Sequence, residues 1–356
     1  MLSAFDDVTV DEITKIVSSA PAKHCSLDPI PTWLLKRLLS LLSTTLTQIC
    51  NASFHGGVFP ANLKEAIVYP QLKKSTLNPD DMNSFRSISN LSFLSKVVER
   101  VVAVRLSAHF ESQYLLPSRQ SAYRAHHSTE AAIIAVHDEI ARAIDAGDVC
   151  ALVLLDLSAT FDTVDHDSQL RVLNCRFGVT DQAVSWCSSY LNQRSQIYSV
   201  NTQQSGPHII DCSIPQGSVL GPLKFVSYTE DSAELITSHQ LFGYHLYADD
   251  TQVIGRIKIS DVPYTINQLQ QCIVDLRDWC ASRRLQLNPS KTDLIWFGSP
   301  ASHTKLTSYD LSLRVDCDDI TPVDTVRYLG VMLDCELSCN DTSVKSPASA
   351  SSISGA

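Results

Sequence analysis

The stretch Phe242–Val253, Phe-Gly-Tyr-His-Leu-Tyr-Ala-Asp-Asp-Thr-Gln-Val, decides the fold prediction for this chain. Its residues alternate between apolar and polar as far as Tyr247, the alternation stops at Ala248-Asp249-Asp250, and apolar residues return at Val253. This pattern predicts two strands joined by a tight turn. Asp is a common turn residue, so the Asp-Asp pair taken alone indicates only a turn.

A third carboxylate lies in a segment that is otherwise apolar. Val149–Leu157, Val-Cys-Ala-Leu-Val-Leu-Leu-Asp-Leu, is typical of a strand covered on both faces, yet it carries Asp156 near its end. A carboxylate there is costly unless it is paired or binds a cation. If this strand lies beside the hairpin, Asp156 converges with Asp249 and Asp250, and such a cluster repels itself unless a divalent ion neutralises it.

The donor atoms of this predicted cluster are all oxygens. Oxygen ligands favour Mg²⁺, with Mn²⁺ as the second choice, over zinc. Two such ions about 3.5–4 Å apart would activate an attacking hydroxyl and stabilise a leaving pyrophosphate in an in-line displacement. The carboxylates alone are equally compatible with a metal-dependent nuclease.

Three motifs in a fixed order resemble those of the reverse transcriptases of non-LTR (LINE-type) retrotransposons. They are Leu-Leu-Asp-Leu-Ser-Ala-Thr-Phe-Asp at 154–162, Ile-Pro-Gln-Gly-Ser-Val-Leu-Gly-Pro at 214–222 and Tyr-Ala-Asp-Asp at 247–250. The first and last carboxylates, Asp156 and Asp249, are 249 − 156 = 93 residues apart. A nuclease does not explain the second motif.

The resemblance implies an α+β fold of the right-hand polymerase type, with helical fingers around a mixed or antiparallel palm sheet and an incomplete thumb. It implies RNA-directed DNA polymerase activity, in which deoxynucleotides are added to a primer 3′-hydroxyl by two-metal catalysis. The expected partners are an RNA template, a DNA primer and deoxynucleoside triphosphates. Asp156, Asp249 and Asp250 would be the catalytic residues and the metal ligands.

The same resemblance implies roles for six further residues. Phe161, five residues after Asp156, would block the ribose 2′-hydroxyl, which is the sugar group that separates the two nucleotide classes. Three residues would line the templating pocket: Gln216, Gly217 and Ser218. Two would bind phosphates: Arg86 and Lys291. An Arg fork suits phosphate geometry.

The chain departs from the family pattern at three positions. Ser87 follows Arg86 where the family has Pro, and Ser213 replaces a usual Gly. Lys224 stands where the family is apolar, so a charge is forced into the fold unless its stem reaches water. These departures, with the acidic composition and the end of the pattern after 334, favour an alternative in which the chain is a decayed element copy with residual nucleic-acid binding and no activity.

The chain is expected to contain three segments. Residues 1–58 form a helical N-terminal extension, in which one helix from Asp28 to Gly56 buries Trp33 and Leu41 among other apolar residues. Residues 59–334 form the fingers and palm, ending in a strand at 327–334. Residues 335–356 are Ser- and Ala-rich without periodicity, which predicts disorder. A full retrotransposon protein would continue into a thumb and would carry an endonuclease ahead of this region.

Composition constrains the class of protein and its compartment. The 356 residues are 44% hydrophobic and 19% charged, which are values of a globular chain. The net charge of −10 argues against strong nucleic-acid binding, which depends largely on Lys and Arg. The 11 cysteines show no zinc-binding spacing and suit reduced thiols in a nuclear or cytoplasmic protein. No signal peptide or membrane span is predicted, so secretion is not expected.

Overall fold

The structure is a computed structural model that describes residues 1–23, 25–158, 162–240, 242–315 and 318–337. The described residues fall into two compact units. The first unit comprises those between Met1 and Leu116 and between Phe161 and Tyr228, and the second comprises those between Pro117 and Thr160 and between Thr229 and Ala356. The predicted disorder of 335–356 falls almost entirely outside the described residues. No described helix has the length and apolar character that a membrane crossing requires.

The described part of the chain contains eleven α-helices, numbered in chain order. They are α1 (Val10–Ser19), α2 (Thr32–Arg37), α3 (Leu39–Gly56), α4 (Phe93–Ser112), α5 (Thr129–Asp145), α6 (His166–Cys175), α7 (Asp181–Leu191), α8 (Gly221–Tyr228), α9 (Ser232–Ser238), α10 (Val262–Ser282) and α11 (Pro300–Leu306). Several begin at side-chain caps: the Thr9, Ser92 and Ser128 hydroxyls accept hydrogen bonds from backbone N–H groups of α1, α4 and α5.

Fifteen strands accompany these helices in the described residues. They are β1 (Glu65–Leu72), β2 (Phe85–Leu91), β3 (Val149–Leu155), β4 (Leu157–Ser158), β5 (Arg194–Val200), β6 (Gln203–Gln204), β7 (His208–Ile210), β8 (Phe242–Tyr247), β9 (Asp250–Ile257), β10 (Gln286–Leu287), β11 (Asp293–Phe297), β12 (Leu313–Val315), β13 (Asp318–Ile320), β14 (Thr325–Tyr328) and β15 (Val331–Asp334). The chain therefore has the mixed α and β content that the sequence predicts.

A mixed sheet organises the first unit. Strand β1 pairs antiparallel with β2 and parallel with β5, and β5 pairs antiparallel with β6 and β7. The helical core of this unit is aromatic: Trp186 of α7 is fully buried and contacts Phe5, Phe59 and Tyr190 with ring centroids 5.5–5.7 Å apart. Aromatic pairs of this kind each contribute about 0.5–1.5 kcal/mol beyond the area they bury.

A four-stranded antiparallel sheet, in the order β11-β3-β9-β8, organises the second unit. Strand β3 is central, and its residues from Val149 to Val153 are fully buried. The core behind the sheet includes Val136 and Ile140 of α5 and Phe297 of β11. A central strand that is buried on both faces explains why Val149–Leu155 is apolar at every position rather than alternating.

Three local predictions in the helical and C-terminal segments are wrong. The helix expected from Asp28 to Gly56 is interrupted at Leu38, which separates α2 from α3. Trp33 and Leu41, expected to be buried, are 55% and 75% exposed. The single strand expected at 327–334 is a hairpin, β14 with β15, because the chain turns where Gly330 has a φ of +95°.

Lys224 of α8 is the least expected residue of the first unit's core. Its side chain does not reach water: the residue is 1% exposed, and its ammonium lies 5.5 Å from the centroid of the Tyr190 ring. The Nζ atom has no hydrogen-bond partner among the described residues. Burial lowers the pKa of Lys224 from its usual 10.5, with the nearby Cys187 and Glu99 acting in the opposite direction. The sequence-based concern that this position buries a charge is justified.

Replacing Lys224 by Met should stabilise the protein. A buried unsatisfied donor costs about 1–3 kcal/mol, and more when it is charged. Because the folded pKa lies below 10.5, the unfolded chain binds the additional proton between the two pKa values, so wild-type stability should rise with pH there. Lys224→Met should flatten that rise when urea unfolding is followed from pH 7 to 10. A Met variant less stable than wild type at pH 7 would contradict this account.

Candidate active site

Strand register brings two of the predicted carboxylates together. The pairing of β3 with β9 ends at Leu155 opposite Thr251, so the next residues, Asp156 and Asp250, are neighbours at the same end of the sheet. The β8–β9 hairpin closes with Tyr247 opposite Asp250. The strands and the turn predicted from the sequence are confirmed at this point.

The turn of the hairpin consists of Ala248 and Asp249. Ala248 has a φ of +58°, in the left-handed region that favours glycine. Such a two-residue turn matches the twist of the flanking strands and keeps the hairpin short. Asp249 therefore lies at the tip of the hairpin, directly before Asp250.

The three carboxylates interact electrostatically. The pKa of Asp250 is raised from 3.8 to about 6, first by burial and then by the charges of Asp249 and Asp156, while Lys291 acts in the opposite direction. The pKa of the Tyr123 hydroxyl is also raised, first by desolvation and then by the charge of Asp249. The cluster thus carries more negative charge than its surroundings compensate.

Lys291 and its preceding residues hold Asp156 from the other side. The Lys291 Nζ atom donates to Asp156 Oδ2 at 2.7 Å, and the Asn288 backbone N–H donates to the Asp156 carbonyl at 2.9 Å. Strand β10 prepares this contact, because Leu287 pairs with Leu157 of β4. The sequence predicts Lys291 as a phosphate-binding residue; in the structure its ammonium neutralises one carboxylate of the cluster.

The three carboxylates offer the kind of donor atoms that a divalent cation binds. The side chains of Asp156, Asp249 and Asp250 offer only oxygen atoms as metal ligands. A hard cation bound to them would relieve the repulsion between the three carboxylates. Within the described ranges, however, no group of three or more His, Cys, Asp or Glu side chains is arranged to hold a metal ion. The assignment of all three carboxylates as metal ligands therefore stays a prediction.

The templating residues predicted in the first unit form a loop held by β2. The Ser89 backbone N–H donates to the Gln216 carbonyl at 2.8 Å. Gly217 has a φ of +113°, and a Cβ atom there would lie 2.8 Å from the Ser89 carbonyl oxygen, so only glycine fits. The Ser218 hydroxyl accepts from the Gly221 N–H at 2.9 Å and begins α8. Gln216 is half-buried and Ser218 is buried.

Arg86 lies on the same strand, β2, as Ser89. It pairs with Gln71 of β1, and its side chain is exposed. Phe161, the predicted sugar gate, lies outside the described residues. Arg119 and Arg124 have partners inside the second unit: Arg119 Nη1 donates to Glu139 at 2.6 Å, and Arg124 Nη1 donates to the Pro117 carbonyl at 3.0 Å.

Glu99 supports the 215–221 loop and was not identified from the sequence. Its side chain is fully buried. Its Oε2 atom accepts from the Val219 and Leu220 backbone N–H groups at 2.8 and 3.2 Å, and from the Tyr190 hydroxyl at 3.2 Å. Its Oε1 atom accepts from the Ser95 hydroxyl at 2.9 Å. A buried carboxylate thus holds the amide groups that precede α8.

A signal for Glu99 was available in the spacing of α4. Residue 99 lies three positions before Val102 and seven before Leu106, which are buried apolar residues of that helix. This spacing predicts that Glu99 shares their buried face. A carboxylate on such a face has to be satisfied by several donors, which is what the structure shows.

An antiparallel sheet that presents neighbouring carboxylates at one hairpin is the kind of site that binds divalent cations in phosphoryl-transfer proteins. The chain belongs to the reverse transcriptase (RNA-dependent DNA polymerase) family, whose model matches residues 72–333. The predicted membership is thereby confirmed.

Three proteins of Drosophila melanogaster are among the relatives that this chain resembles. The chain is 28% identical over 336 residues to a probable RNA-directed DNA polymerase from transposon BS, and 27% identical over 344 residues to one from transposon X-element. It is 26% identical over 340 residues to the RNA-directed DNA polymerase from mobile element jockey. The matches cover 93–94% of this chain and 35–36% of each relative, so the chain spans about a third of their length. The expected likeness to non-LTR retrotransposon polymerases is confirmed.

Asp250→Asn should alter the pH dependence of stability in the absence of divalent ions. A carboxyl whose pKa rises to about 6 on folding favours the folded state only while it is protonated, so wild-type stability should fall as pH rises from 4 to 6. The Asn variant cannot ionise and should lose this fall. Thermal unfolding in chelator between pH 4 and 7.5 measures the difference. Parallel curves for the two proteins would contradict the raised pKa of Asp250.

Glu99→Leu should destabilise the first unit by about 3–5 kcal/mol, because it leaves several buried donors without their acceptor. Glu99→Gln keeps one acceptor oxygen and should cost less. Urea unfolding measures both values. Glu65→Gln, at the partly exposed start of β1, serves as the control and should stay within about 0.5 kcal/mol of wild type. Equal stabilities of the Leu and Gln variants would show that the hydrogen bonds contribute nothing.

Proposed function

We propose that this chain is an RNA-directed DNA polymerase that adds deoxynucleotides to a primer 3′-hydroxyl on an RNA template, as a non-LTR retrotransposon requires. One observation carries the proposal: the β3–β9 register places Asp156 beside Asp250, next to the hairpin tip at Asp249. The family membership of residues 72–333 and the names of the relatives support the same reaction.

In this proposal the antiparallel sheet of the second unit is the palm of a right-hand polymerase, and the mixed sheet of the first unit belongs to the fingers. Asp156, Asp249 and Asp250 would hold two divalent ions, Mg²⁺ or Mn²⁺. When bound, these ions would activate the primer hydroxyl and stabilise the leaving pyrophosphate. The pKa of Asp250, raised first by burial and then by Asp249 and Asp156, supports the choice of ligands, since bound cations would compensate the buried negative charge.

The other predicted residues contribute binding and charge. Lys291, which is 61% exposed and donates to Asp156, can exchange that carboxylate for a phosphate oxygen when the carboxylate binds a cation. The exposed Arg86 is available to a phosphate as well. The rigid Gln216-Gly217-Ser218 loop would bound the templating pocket, and Phe161 would exclude the ribose 2′-hydroxyl. The proposed compartment is the nucleus or cytoplasm, where the RNA template resides.

A second candidate is a decayed element copy that folds and binds nucleic acid weakly without catalysis. The observation that favours it is the buried ammonium of Lys224, on the helix that follows the templating loop, which has no hydrogen-bond partner in the part of the chain that the structure describes. The net charge of −10 points in the same direction. The neighbouring carboxylates of Asp156, Asp249 and Asp250 oppose it, because all three positions needed for catalysis are present.

Primer extension on an annealed RNA template, with purified protein, Mg²⁺ and deoxynucleotides, tests the proposal. Asp249→Asn should reduce extension by at least about 100-fold, since removing a group essential to the reaction commonly costs several kcal/mol of barrier, at about 1.4 kcal/mol per tenfold. Asp293→Asn, at the exposed start of β11, is the matched control and should retain extension. Absence of extension from a folded wild type with both Mg²⁺ and Mn²⁺ would favour the decayed copy.

A further inference from the structure

The edge of the second unit's main sheet is covered by a short segment outside the catalytic hairpin. Residues 119–121 run parallel to β8: the Leu246 N–H donates to the Arg119 carbonyl and the Ser121 N–H donates to the Leu246 carbonyl, both at 3.0 Å. Strand β8 is the outermost strand of the sheet order β11-β3-β9-β8, and this segment pairs its free side. The segment therefore has a fixed position relative to the hairpin.

Gln120, in the middle of this segment, reaches the hairpin turn with its side chain. The residue is 1% exposed. Its Oε1 atom accepts from the Ala248 backbone N–H at 3.3 Å and from the Ala122 backbone N–H at 2.9 Å. A carboxamide oxygen has two lone pairs, so both are used. One buried side chain thus links the covering segment to the residue that precedes Asp249.

The Ala248–Asp249 turn has an unfavourable backbone conformation that a hydrogen bond can stabilise. Ala248 adopts a φ of +58°, where its Cβ atom is disfavoured and where glycine is the usual residue. A residue held in this region persists only when its surroundings fix it. The hydrogen bond from Ala248 N–H to Gln120 is available only while the turn keeps this conformation. It therefore opposes relaxation of the turn toward a conformation with negative φ.

We propose that Gln120 is a positioning residue, which holds the Ala248–Asp249 turn in the conformation that places Asp249 and Asp250 beside Asp156. Its effect on rate rests on the proposed polymerase function, whereas its effect on the turn does not. Gln120 does not touch the reacting atoms in this account. It acts through the backbone of Ala248, and its role is separate from that of the metal-binding carboxylates.

The first test measures the turn itself in metal-free protein. Both backbone groups that Gln120 accepts from belong to alanines, so amide hydrogen exchange in protein labelled with [¹⁵N]alanine reports on them directly. Gln120→Met removes the acceptor and keeps the length of the side chain. It should speed exchange of the Ala248 and Ala122 amides by at least tenfold, whereas Gln120→Glu, which keeps the acceptor oxygens, should largely retain their protection.

The matched control is Gln169→Met. Gln169 of α6 is also fully buried and donates to the Ser227 hydroxyl at 3.1 Å, inside the first unit. This variant removes a buried carboxamide of the same size, so it reports what a loss of global stability alone does to the alanine amides. It should leave the exchange ratio of Ala248 to the sheet amide of Ala151 unchanged, whereas Gln120→Met should raise it.

The second test measures catalysis and metal response. Gln120→Met should lower kcat for primer extension by 10- to 100-fold and raise the Mg²⁺ concentration for half-maximal rate, with the KM for primer–template within twofold of wild type. Adding Ala248→Gly should recover part of the loss, because glycine adopts a φ of +58° without the Cβ penalty. A residue that only stabilises the fold would not give this rescue.

The two experiments distinguish the role of Gln120 from the polymerase function. Faster Ala248 exchange together with a reduced kcat that Ala248→Gly partly restores supports the proposal. Unchanged Ala248 protection in a folded Gln120→Met protein overturns it, as does faster exchange with unchanged kcat and metal dependence. If the wild type extends no primer, the polymerase assignment fails, and the exchange experiment still decides whether Gln120 fixes the turn.

Discussion

The pairing of Leu155 with Thr251 is the constraint on which the candidate site depends. Side chains alternate between the two faces of a strand, so a slip of one residue between β3 and β9 would turn Asp156 away from Asp250. The register is fixed by packing, because residues 149–153 of β3 are completely buried on both faces and a shifted strand would have to repack against both cores. The apolar strand therefore holds two carboxylates together at its end, where burial and then the charges of Asp249 and Asp156 raise the pKa of Asp250.

The sequence predicted those parts of the structure that have a periodic pattern or a turn signal. The hairpin at Phe242–Val253 and the buried strand ending before Asp156 both follow from local residue order. The break at Leu38 was missed because neither Pro nor Gly marks it. The local sequence predicts helices and strands well, but it does not predict the interruptions that tertiary packing introduces into them.

Glu99 and Gln120 show why the supporting residues of the site were harder to find. The partners of Glu99 include backbone groups of Val219 and Leu220, 120 and 121 residues away, and Gln120 accepts from Ala248 at a separation of 128 residues. Backbone amides leave no mark in the side-chain sequence. A polar residue on an apolar face can reveal that some partner exists, as with Glu99, but the partner itself is defined only by the fold.

The net negative charge of the chain is distributed unevenly, and the positions of the charged residues matter more than their sum. Several arginines are committed to ion pairs within their own unit, among them Arg105 with Glu12 and Arg256 with Asp148. Their charges therefore contribute little to attraction of a phosphate backbone. Asp156, Asp249 and Asp250 contribute to the excess of negative charge. Two divalent cations bound to these three carboxylates would leave the cluster with a net positive charge of one. Under the proposed function, bound cations would turn a cluster that repels a triphosphate into one that attracts it, so the local charge, and not the net charge of the chain, would govern substrate binding.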